Sequence, residues 1–312
     1  MHYRHVSVMP EKVIDYLNCR PGKIYADCTL GGSGHTRRIL EKIVPKGLLI
    51  GIDQDKDAIK NAKKILKPFE ANVRLFHDNY ANLGSILSEL EISAVDGILL
   101  DLGLSLHQLE NSGRGFSFNK NEPLDMRMDI DSDTTAKDIV NTTDEKSLAR
   151  IFKTYGEERM ARRIARQIVS TRKHKPVLTS RQLSDIVISA YSKKGAGHHR
   201  IHPATRVFMA LRIAVNRELE RLENFMAGVS DILNPEGRLC VLSFHSLEDR
   251  IVKKNIKALE KECICPPDFP KCVCNKQKLV KSVTRKPLTP EKEEILINPM
   301  SRSAKLRVAE KL

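Results

Sequence analysis

The sequence predicts an α/β fold in which a doubly wound parallel sheet carries an inserted helical domain. Five apolar segments have the composition of buried strands, at 24–30, 47–53, 73–78, 94–101 and 237–244. Helical segments separate the first four, and strands that alternate with helices form a parallel sheet covered on both faces. More than a hundred residues separate the fourth strand from the fifth, too many for one crossover helix, so we expect an insertion there.

A glycine-rich turn follows the first strand. Gly31, Gly32 and Gly34 precede a helical segment at 36–43. Glycine permits positive φ and leaves no Cβ in the way of a ligand. Asp53 ends the second strand, 22 positions beyond Gly31, where doubly wound folds place the acid that receives ribose hydroxyls. The turn therefore predicts a pocket for a nucleoside cofactor.

Two classes of cofactor share this geometry, the dinucleotides and S-adenosylmethionine. The glycines do not follow the G-x-G-x-x-G pattern of a pyrophosphate-binding turn, because they cluster early and position 36 is Thr36. S-adenosylmethionine has no phosphate to bind a helix N-terminus, so its turn need not follow that spacing. The turn favours S-adenosylmethionine, and a glycine turn without a ligand is the alternative.

The segments after the insertion complete the predicted sheet. A single helix over 205–233 leads back to the fifth strand and ends before Pro235 and Gly237. Two short runs, at 280–283 and 304–308, close the sheet as a hairpin.

The predicted insertion carries much of the positive charge. It covers 113–201, and 1–112 with 202–312 form the core domain. The formal net charge is +14, and 151–217 contain 15 lysines and arginines against three acids, a net charge of +12. Such a concentration indicates a polyanionic partner, although excess charge also keeps proteins soluble.

The basic residues that we expect to contact phosphates of this partner form one set. Four of them are spaced so that they lie on one stripe of a helix, and the other two come after this stripe in the chain. Loop 195–200 adds further positive groups. Like charges so placed repel one another, which phosphates would relieve. A solvated helix face is the alternative. The six residues are Arg159, Arg162, Arg163, Arg166, Arg172 and Lys173.

The sequence also indicates in which compartment of the cell the protein is found. No apolar run approaches the roughly 20 residues of a membrane-spanning helix, and the polar start at 1–5 does not resemble a signal peptide. We therefore expect a soluble cytoplasmic protein without a membrane partner. Seven cysteines without a secretory signal indicate a reducing compartment.

Four of the cysteines form two C-x-C pairs, at 263–265 and 272–274, with prolines between them. This spacing is tighter than the usual C-x₂₋₄-C of zinc sites. We therefore predict no metal here and expect a rigid proline-rich loop of reduced thiols that contacts RNA. Zinc binding is the alternative.

Acidic residues recur where the predicted parallel strands end. Asp27, Asp53, Asp78 and Asp101 fall at or near carboxyl ends. Ligands of doubly wound sheets bind at this edge. The acids could instead be helix caps or ordinary loop residues, but their recurrence at successive strands favours a site.

Eight segments match, in order, the motifs of one enzyme family, at 27–35, 100–103, 114–118, 123–129, 155–158, 202–208, 210–216 and 243–250. The chain thereby resembles the bacterial 16S ribosomal RNA cytidine N4-methyltransferases, also called the MraW family. The resemblance runs from His5 to Arg307. It implies a Rossmann-like class I sheet that binds S-adenosylmethionine, and methylation of the exocyclic amine of one cytidine in the decoding region of the small subunit.

The resemblance also implies seven cofactor contacts. Asp53 is expected to accept the ribose hydroxyls. Tyr80 packs against the cofactor, or it belongs to the core. Family members usually have Gly where this chain has Ser33, and the chain also departs from the family pattern at Leu106, Met209 and Met300. The seven residues are Ser33, Gly34, His35, Asp53, Tyr80, Asp101 and Gln108.

Asp101, His245 and Asp249 are the catalytic candidates. Asp101 holds the cofactor ammonium or accepts a hydrogen bond from the cytosine amine. His245 and Asp249 position the base or receive the proton, or they cap a helix. An exocyclic amine is a poor nucleophile, so catalysis should come mainly from alignment. Methylation at C5 would need a cysteine nucleophile beside the fourth strand, and 102–105 contain none.

We expect 16S ribosomal RNA in the small subunit as the partner, with the target base splayed from its stack. Two other functions stay open from the sequence. One is a methyltransferase that acts on DNA or protein, and the other is a non-catalytic RNA-binding factor in ribosome assembly. The oligomeric state is not predicted.

Overall fold

A computed structural model describes residues 7–192, 201–266 and 271–312. The chain divides into two compact units. The first unit comprises Met1–Gly103 and Leu219–Leu312, and the second comprises Leu104–Glu218. The predicted loop at 195–200 lies outside the described residues.

The first unit is built on a seven-stranded sheet with the strand order β3-β2-β1-β4-β5-β7-β6. Strands β1 to β5 pair in parallel, whereas β7 runs antiparallel to both β5 and β6. This arrangement confirms the predicted parallel sheet and its closing hairpin. The strands are β1 (Ile24–Asp27), β2 (Leu48–Asp53), β3 (Val73–His77), β4 (Val95–Asp101), β5 (Leu233–Ser243), β6 (Val280–Ser282) and β7 (Lys305–Lys311).

The helices of the first unit precede and follow the insertion, and α11 begins at the unit boundary. They are α1 (Pro10–Leu17), α2 (Gly34–Ile43), α3 (Lys56–Ile65), α4 (Leu83–Glu89), α11 (Glu218–Gly228), α12 (Ser246–Glu260) and α13 (Lys292–Ile297). Short 3₁₀ turns cover Lys67–Asn72, Tyr80–Asn82 and Pro299–Ser303. None of the helices in the described ranges is both long and apolar enough to cross a membrane.

Alternate side chains of the central strands enter two separate cores. Ile50, Ile98 and Val241 belong to the cluster that also holds residues of α4, α11 and α12. Leu49 and Leu99 belong to the opposite cluster, with residues of α1, α2 and α3. Because both faces are buried, the strands are nearly continuous apolar runs, which is why the sequence identified them.

The second unit consists of helices around its own core. The helices are α5 (Leu106–Glu110), α6 (Ala136–Thr142), α7 (Glu145–Gly156), α8 (Ala161–Arg172), α9 (Ser180–Ser192) and α10 (Ala204–Asn216). The predicted insertion, 113–201, lies within this unit, which extends further at both ends. Helix α10 belongs to it because α7 and α10 touch at Gly156, where a Cβ would lie 2.5 Å from the carbonyl oxygen of Arg206.

The prediction of one helix over 205–233 is wrong. Helix α10 ends at Asn216, and Arg217 adopts left-handed backbone angles, φ 50° and ψ 36°. Asn216 is buried because its side-chain oxygen accepts from the Met128 amide at 2.8 Å and its amide donates to the Met126 carbonyl at 2.8 Å. These bonds anchor the end of α10 within the second unit, and the chain restarts as α11. Strand β5 already begins at Leu233, and its register with β4 shifts between Val95 and Gly97.

Candidate active site

The chain order reverses between β1 and β4, because β2 lies on one side of β1 and β4 on the other. Ligands of doubly wound sheets bind outside the carboxyl ends of the strands at such a switch point. Asp27 ends β1 and Asp101 ends β4. The predicted acidic edge is therefore present where this fold places its ligand.

The glycine turn is tied to the end of β2. The Gly31 amide donates to the Asp53 carboxylate at 2.9 Å, and the Ser33 amide donates to the Leu30 carbonyl at 2.6 Å. Gly31 has φ 45°, and a Cβ added there would meet no atom within 4 Å. The turn thus leaves open space above the end of β1.

Helix α2 starts directly from the turn. Ser33 has φ 63°, a left-handed conformation that favours glycine. Gly34 is the first residue of α2, and a Cβ there would lie 2.1 Å from the Ser7 hydroxyl oxygen. A side chain at Gly34 would thus require Ser7 to move, and the helix N-terminus faces the edge at which the turn leaves β1.

Two threonines that the sequence analysis did not single out position the acids. The Thr36 hydroxyl donates to Asp27 at 2.6 Å, and the Asp101 amide donates to the Thr29 hydroxyl at 2.6 Å. Burial raises the pKa of Asp27 to about 6, although the hydrogen bond from Thr36 opposes the shift. A hydroxyl near an acid in sequence is too common a pattern to identify such roles without the fold.

Three buried side chains at this edge have polar atoms without a hydrogen-bond partner in the described part of the chain. They are the Ser33 hydroxyl, both ring nitrogens of His35 and one oxygen of Asp101. His35 Nε2 lies 3.5 Å from the other Asp101 oxygen, and the two side chains are only 5% and 10% exposed. Buried polar groups are nearly always satisfied, so this cluster fits a polar ligand.

Burial raises the pKa of Asp53 more than that of Asp27. Its two oxygens accept from the Gly31 and Asp55 amides, at 2.9 and 2.8 Å. Burial nevertheless raises the pKa of Asp53 to about 7, because it outweighs these two hydrogen bonds and the nearby acids raise the pKa further. A carboxylate in this state gains from hydroxyl donors.

Tyr80 lies at the start of the turn after β3. It is 7% exposed, and its ring meets Phe225 edge to face, with the centroids 5.8 Å apart. It belongs to the core cluster that includes Phe225. The core interpretation is therefore supported, and contact with the cofactor stays a prediction.

Gln108 lies in the second unit. Its side-chain oxygen accepts from the Ser105 amide at 3.0 Å, and its own amide donates to the Ser105 hydroxyl at 3.2 Å. The pair closes a capping box at the start of α5. The structure assigns Gln108 this local role, and its contact with the cofactor stays a prediction.

His245 and Asp249 begin helix α12, and both have structural partners. His245 caps the helix, with its Nδ1 accepting from the Glu248 amide at 3.4 Å. Asp249 binds Arg307 Nε at 2.6 Å and Lys305 Nζ at 3.3 Å. Burial raises the pKa of Asp249, but these two cations outweigh it and lower the pKa. A carboxylate so held anchors β7 to α12 and is a weak proton acceptor.

The predicted RNA-binding residues lie at α8 in the second unit. Arg162 and Arg166 are exposed on the helix, Arg163 is half-buried, and Arg159 precedes the helix. The Arg172 guanidinium donates to the Val140 carbonyl at 2.6 Å, and its contact with RNA stays a prediction. Exposed Lys173 caps the end.

The charge distribution of α8 opposes its helix dipole. The first turn contains arginines and no acid, whereas a helix N-terminus favours negative groups. Only Glu145, 3.5 Å from Arg166, forms an ion pair with α8 among the described residues. This arrangement fits an external anion better than it fits a self-contained surface.

A cavity of about 390 Å³ lies beside the start of α8, and Arg159, Glu158, Tyr191, His202 and Arg206 are among its lining residues. Glu158 is 3% exposed, and its Oε1 accepts from the Tyr191 hydroxyl at 2.6 Å. Its Oε2 has no hydrogen-bond partner among the described residues. A concave site with two arginines and a buried acceptor suits a polar aromatic group such as a nucleobase.

Comparison with known proteins now identifies the family. The model of the MraW methylase family matches residues 2–312. The chain belongs to the MraW methylase family.

Three curated relatives share the name "Ribosomal RNA small subunit methyltransferase H". The Desulfosudis oleivorans protein is 57% identical over 312 residues, with 100% of both chains covered. The Desulforapulum autotrophicum protein is 56% identical over 309 residues, with 99% covered in each. The Clostridium botulinum protein is 50% identical over 312 residues, with 100% of both covered.

The edge of the sheet fits the cofactor of a MraW methylase, S-adenosylmethionine. This molecule has ribose hydroxyls as donors, and an ammonium and a carboxylate at its methionine end. Asp53 offers acceptors to hydroxyls. Asp101 offers an unpartnered oxygen to an ammonium or an amine donor, and the Ser33 hydroxyl offers a donor. The donor set therefore fits the group, and family membership confirms the predicted class of cofactor.

The perturbed pKa of Asp53 predicts a pH dependence of stability. The native pKa of about 7 exceeds the value of about 4 expected in the unfolded chain, so the native state binds the proton more tightly. The contribution of Asp53 to the free energy of unfolding is then greatest below about pH 4 and falls as the pH rises through about 7. Asp53→Asn removes this loss. Urea unfolding from pH 5 to 8 should therefore show wild type losing stability relative to Asp53→Asn.

Asp249→Asn is the matched control, because the pKa of Asp249 is lowered. The contribution of the Asp249 carboxylate to the free energy of unfolding is present above about pH 4 and is lost as the pH falls below that value. The difference between wild type and Asp249→Asn should stay constant from pH 5 to 8. A constant difference for Asp53→Asn as well would contradict the raised pKa.

Proposed function

We propose that this protein transfers the methyl group of S-adenosylmethionine to the exocyclic N4 of a cytidine in the decoding region of 16S ribosomal RNA. The observation that carries the proposal is full-length identity of up to 57% to relatives named as methyltransferases of ribosomal small-subunit RNA. The buried pair of His35 and Asp101 supports a reaction at the end of β4. We place the reaction in the cytoplasm, on the small subunit or its precursor.

S-adenosylmethionine supplies a methyl group on a positively charged sulfonium. The residues at the sheet edge then have three tasks, which are to hold the cofactor, to orient the amine and to exclude water. Asp53 and the glycine turn hold the nucleoside end. Asp101 accepts a hydrogen bond from the target amine, with His35 beside it. The new N–C bond forms as the C–S bond breaks, and Asp101 is placed to receive the proton that N4 loses.

Alignment carries most of this catalysis, because the amine lone pair is delocalised into the ring. Donors and acceptors fixed in a water-poor site cost no reorganisation at the moment of reaction. The buried, prearranged pair of His35 and Asp101 fits that requirement. Removal of one such contact commonly costs about 10²–10³ in rate.

The surroundings of the site argue against methylation at cytosine C5, which needs a thiolate nucleophile. Cys28 is the cysteine next to Asp27, and it is 2% exposed in the hydrophobic core. Burial raises the pKa of the Cys28 thiol well above its usual value. A neutral core thiol is a poor nucleophile, so amine chemistry is favoured.

We assign RNA binding to the second unit. The exposed residues Arg159, Arg162, Arg166 and Lys173 contact phosphates, and half-buried Arg163 supports them. Arg172 contributes less, because its guanidinium is held by the Val140 carbonyl. The cavity beside Arg159 accommodates an unstacked base, with Glu158 as acceptor. Phosphate contacts position an RNA, and contacts to unstacked bases select it.

Transfer of tritiated methyl groups from S-adenosylmethionine tests the function. Purified small subunits, naked ribosomal RNA, DNA and protein are offered at saturating cofactor, and the product is digested for mass spectrometry. We expect label only in ribosomal RNA, as N4-methylcytidine. Asp101→Ala should reduce single-turnover methylation about 10²–10³-fold with little change in RNA affinity.

Each other outcome of this experiment identifies an alternative. Label in DNA or protein indicates a different methyltransferase, and RNA binding without any transfer indicates an assembly factor. A C5-methylated product would refute the amine mechanism. Wild-type turnover by Asp101→Ala would remove Asp101 from catalysis.

Reversal of charge on α8 tests the RNA-binding assignment. Arg162→Glu combined with Arg166→Glu should leave cofactor binding intact and abolish methylation of the subunit. If each arginine neutralises one phosphate, the slope of log affinity against log salt becomes shallower by about 1–2. Arg181→Glu is the control, since Arg181 is exposed in the same unit but lies on α9. Equal salt slopes for the double variant and the control would mean that α8 is only a solvated face.

A further inference from the structure

The loop between α12 and β6 gathers four cysteines that the proposed function does not use. Cys263, Cys265, Cys272 and Cys274 are free cysteines, and their four sulfur atoms all lie within 4.8 Å of one another. The other three cysteines of the chain are buried or half-buried elsewhere. Residues separated by up to 11 positions have thus converged on one point.

The distances match those of a tetrahedral metal centre. The Sγ atoms of Cys272 and Cys274 are 3.5 Å apart, and those of Cys274 and Cys263 are 3.8 Å apart. Zn–S bonds of 2.3 Å in a regular tetrahedron place sulfur atoms about 3.8 Å apart. Two sulfur–sulfur distances lie near this spacing, all four sulfur atoms lie within 4.8 Å of one another, and no disulfide joins them.

Backbone amides point at the sulfur atoms. The Ile264 amide donates to Cys274 Sγ at 3.4 Å, the Cys265 amide to Cys263 Sγ at 3.3 Å, and the Val273 amide to Cys265 Sγ at 3.5 Å. Hydrogen bonds from amides stabilise sulfur in its negatively charged form, which is the form that binds metals. Two of these three bonds cross between the C-x-C pairs, so the backbone of each pair donates to a sulfur atom of the other.

Local charge also suits a tetrathiolate centre. Four thiolates around one divalent ion carry a net charge of −2. Residues 261–278 contain four lysines and two acids, a net charge of +2 without the thiols. The loop and such a centre would therefore be neutral together.

The neck of the loop is already closed by the fold. The Leu279 amide donates to the Leu259 carbonyl at 2.9 Å, and the Leu312 amide donates to the Leu279 carbonyl at 3.0 Å. Beyond this neck, the described residues of the loop bury little apolar surface, since Ile264 and Val273 are 65% and 66% exposed. A segment without a core of its own needs another source of order, and bound metals supply it in small units.

We propose that Cys263, Cys265, Cys272 and Cys274 bind one zinc ion as a closed, structural tetrathiolate site. The sequence analysis predicted no metal because C-x-C is shorter than the usual spacing, and the fold compensates by bringing the two pairs face to face. Four protein ligands leave no open position, so the ion orders the loop and takes no part in catalysis. Soft thiolate ligands in tetrahedral geometry select zinc over magnesium or calcium.

Elemental analysis of the purified full-length protein tests the proposal. The protein is isolated under reducing conditions without chelator, and its free thiols are counted. We expect about one zinc ion per chain, and loss of the ion in Cys263→Ser combined with Cys274→Ser. Cys19→Ser is the matched control, because Cys19 lies outside the loop, and it should retain the zinc.

Cobalt substitution of wild type keeps the test independent of how the variants fold. Co²⁺ added to the metal-free protein should give the intense visible bands of tetrahedral coordination and a thiolate-to-metal charge-transfer band. Stoichiometric displacement by zinc should abolish both. Neither measurement requires RNA or methyl transfer, so it stands apart from the proposed function.

Three results would overturn the inference. The first is wild-type protein with seven free thiols that binds neither zinc nor cobalt. The second is equal zinc content in wild type and in the Cys263/Cys274 double variant when both are folded. The third is iron in place of zinc, or oxidation of the four thiols to disulfides in freshly isolated protein.

Discussion

The hydrogen bonds accepted by Asp53 are the constraint on which the site depends. One oxygen binds the Gly31 amide in the turn after β1, and the other binds the Asp55 amide in the turn after β2. A single carboxylate thus joins two loops at the edge of the sheet. The glycine turn sets the start of α2, and α2 in turn carries His35 to within 3.5 Å of Asp101. If the link to Gly31 were lost, the turn, the helix start and the pair of His35 and Asp101 would each lose their fixed position.

Burial makes the ionised forms of Asp27 and Asp53 unfavourable, and a cationic ligand nearby would stabilise them. Burial raises the pKa values of Asp27 and Asp53 to about 6 and about 7. The chain as a whole is strongly basic, with a net charge of +14, yet this edge is acidic. S-adenosylmethionine has a sulfonium and an ammonium group, whereas RNA is a polyanion. The sheet edge and helix α8 therefore differ in local charge as their proposed ligands do, and the acidic edge disfavours direct binding of phosphate.

The sequence predicted features that depend on local pattern. The strands were recognisable because both faces of the sheet are buried, and the hairpin of β6 and β7 followed from their length and composition. The turn was recognisable from Gly31, Gly34 and the later Asp53. What the sequence did not predict depends on contacts between distant residues. The break at Arg217 results from the burial of Asn216 against Met126 and Met128, and Arg172 is held by Val140.

The same distinction applies to the candidate site. Strand ends and motifs located Asp53, Asp101 and His35, but the supporting hydroxyls of Thr29 and Thr36 became visible only in the fold. The ion pairs of Asp249 gave that residue a structural role that its motif did not reveal. Likewise, the spacing of the two C-x-C pairs predicted no metal site, but the fold brings their four sulfur atoms together.

Calorimetric titration of S-adenosylmethionine into wild type, Asp53→Ala and Asp231→Ala tests the central claim most directly. Asp231 is exposed and precedes β5, so its variant is the control for loss of an aspartate from the same unit. The account predicts that Asp53→Ala stays folded and binds the cofactor more weakly by about 1.5–3 kcal/mol, or roughly 10–150-fold, because a hydrogen bond to a charged group is lost. Asp231→Ala should bind as wild type does. Wild-type affinity in folded Asp53→Ala would contradict the claim that Asp53 organises the cofactor site.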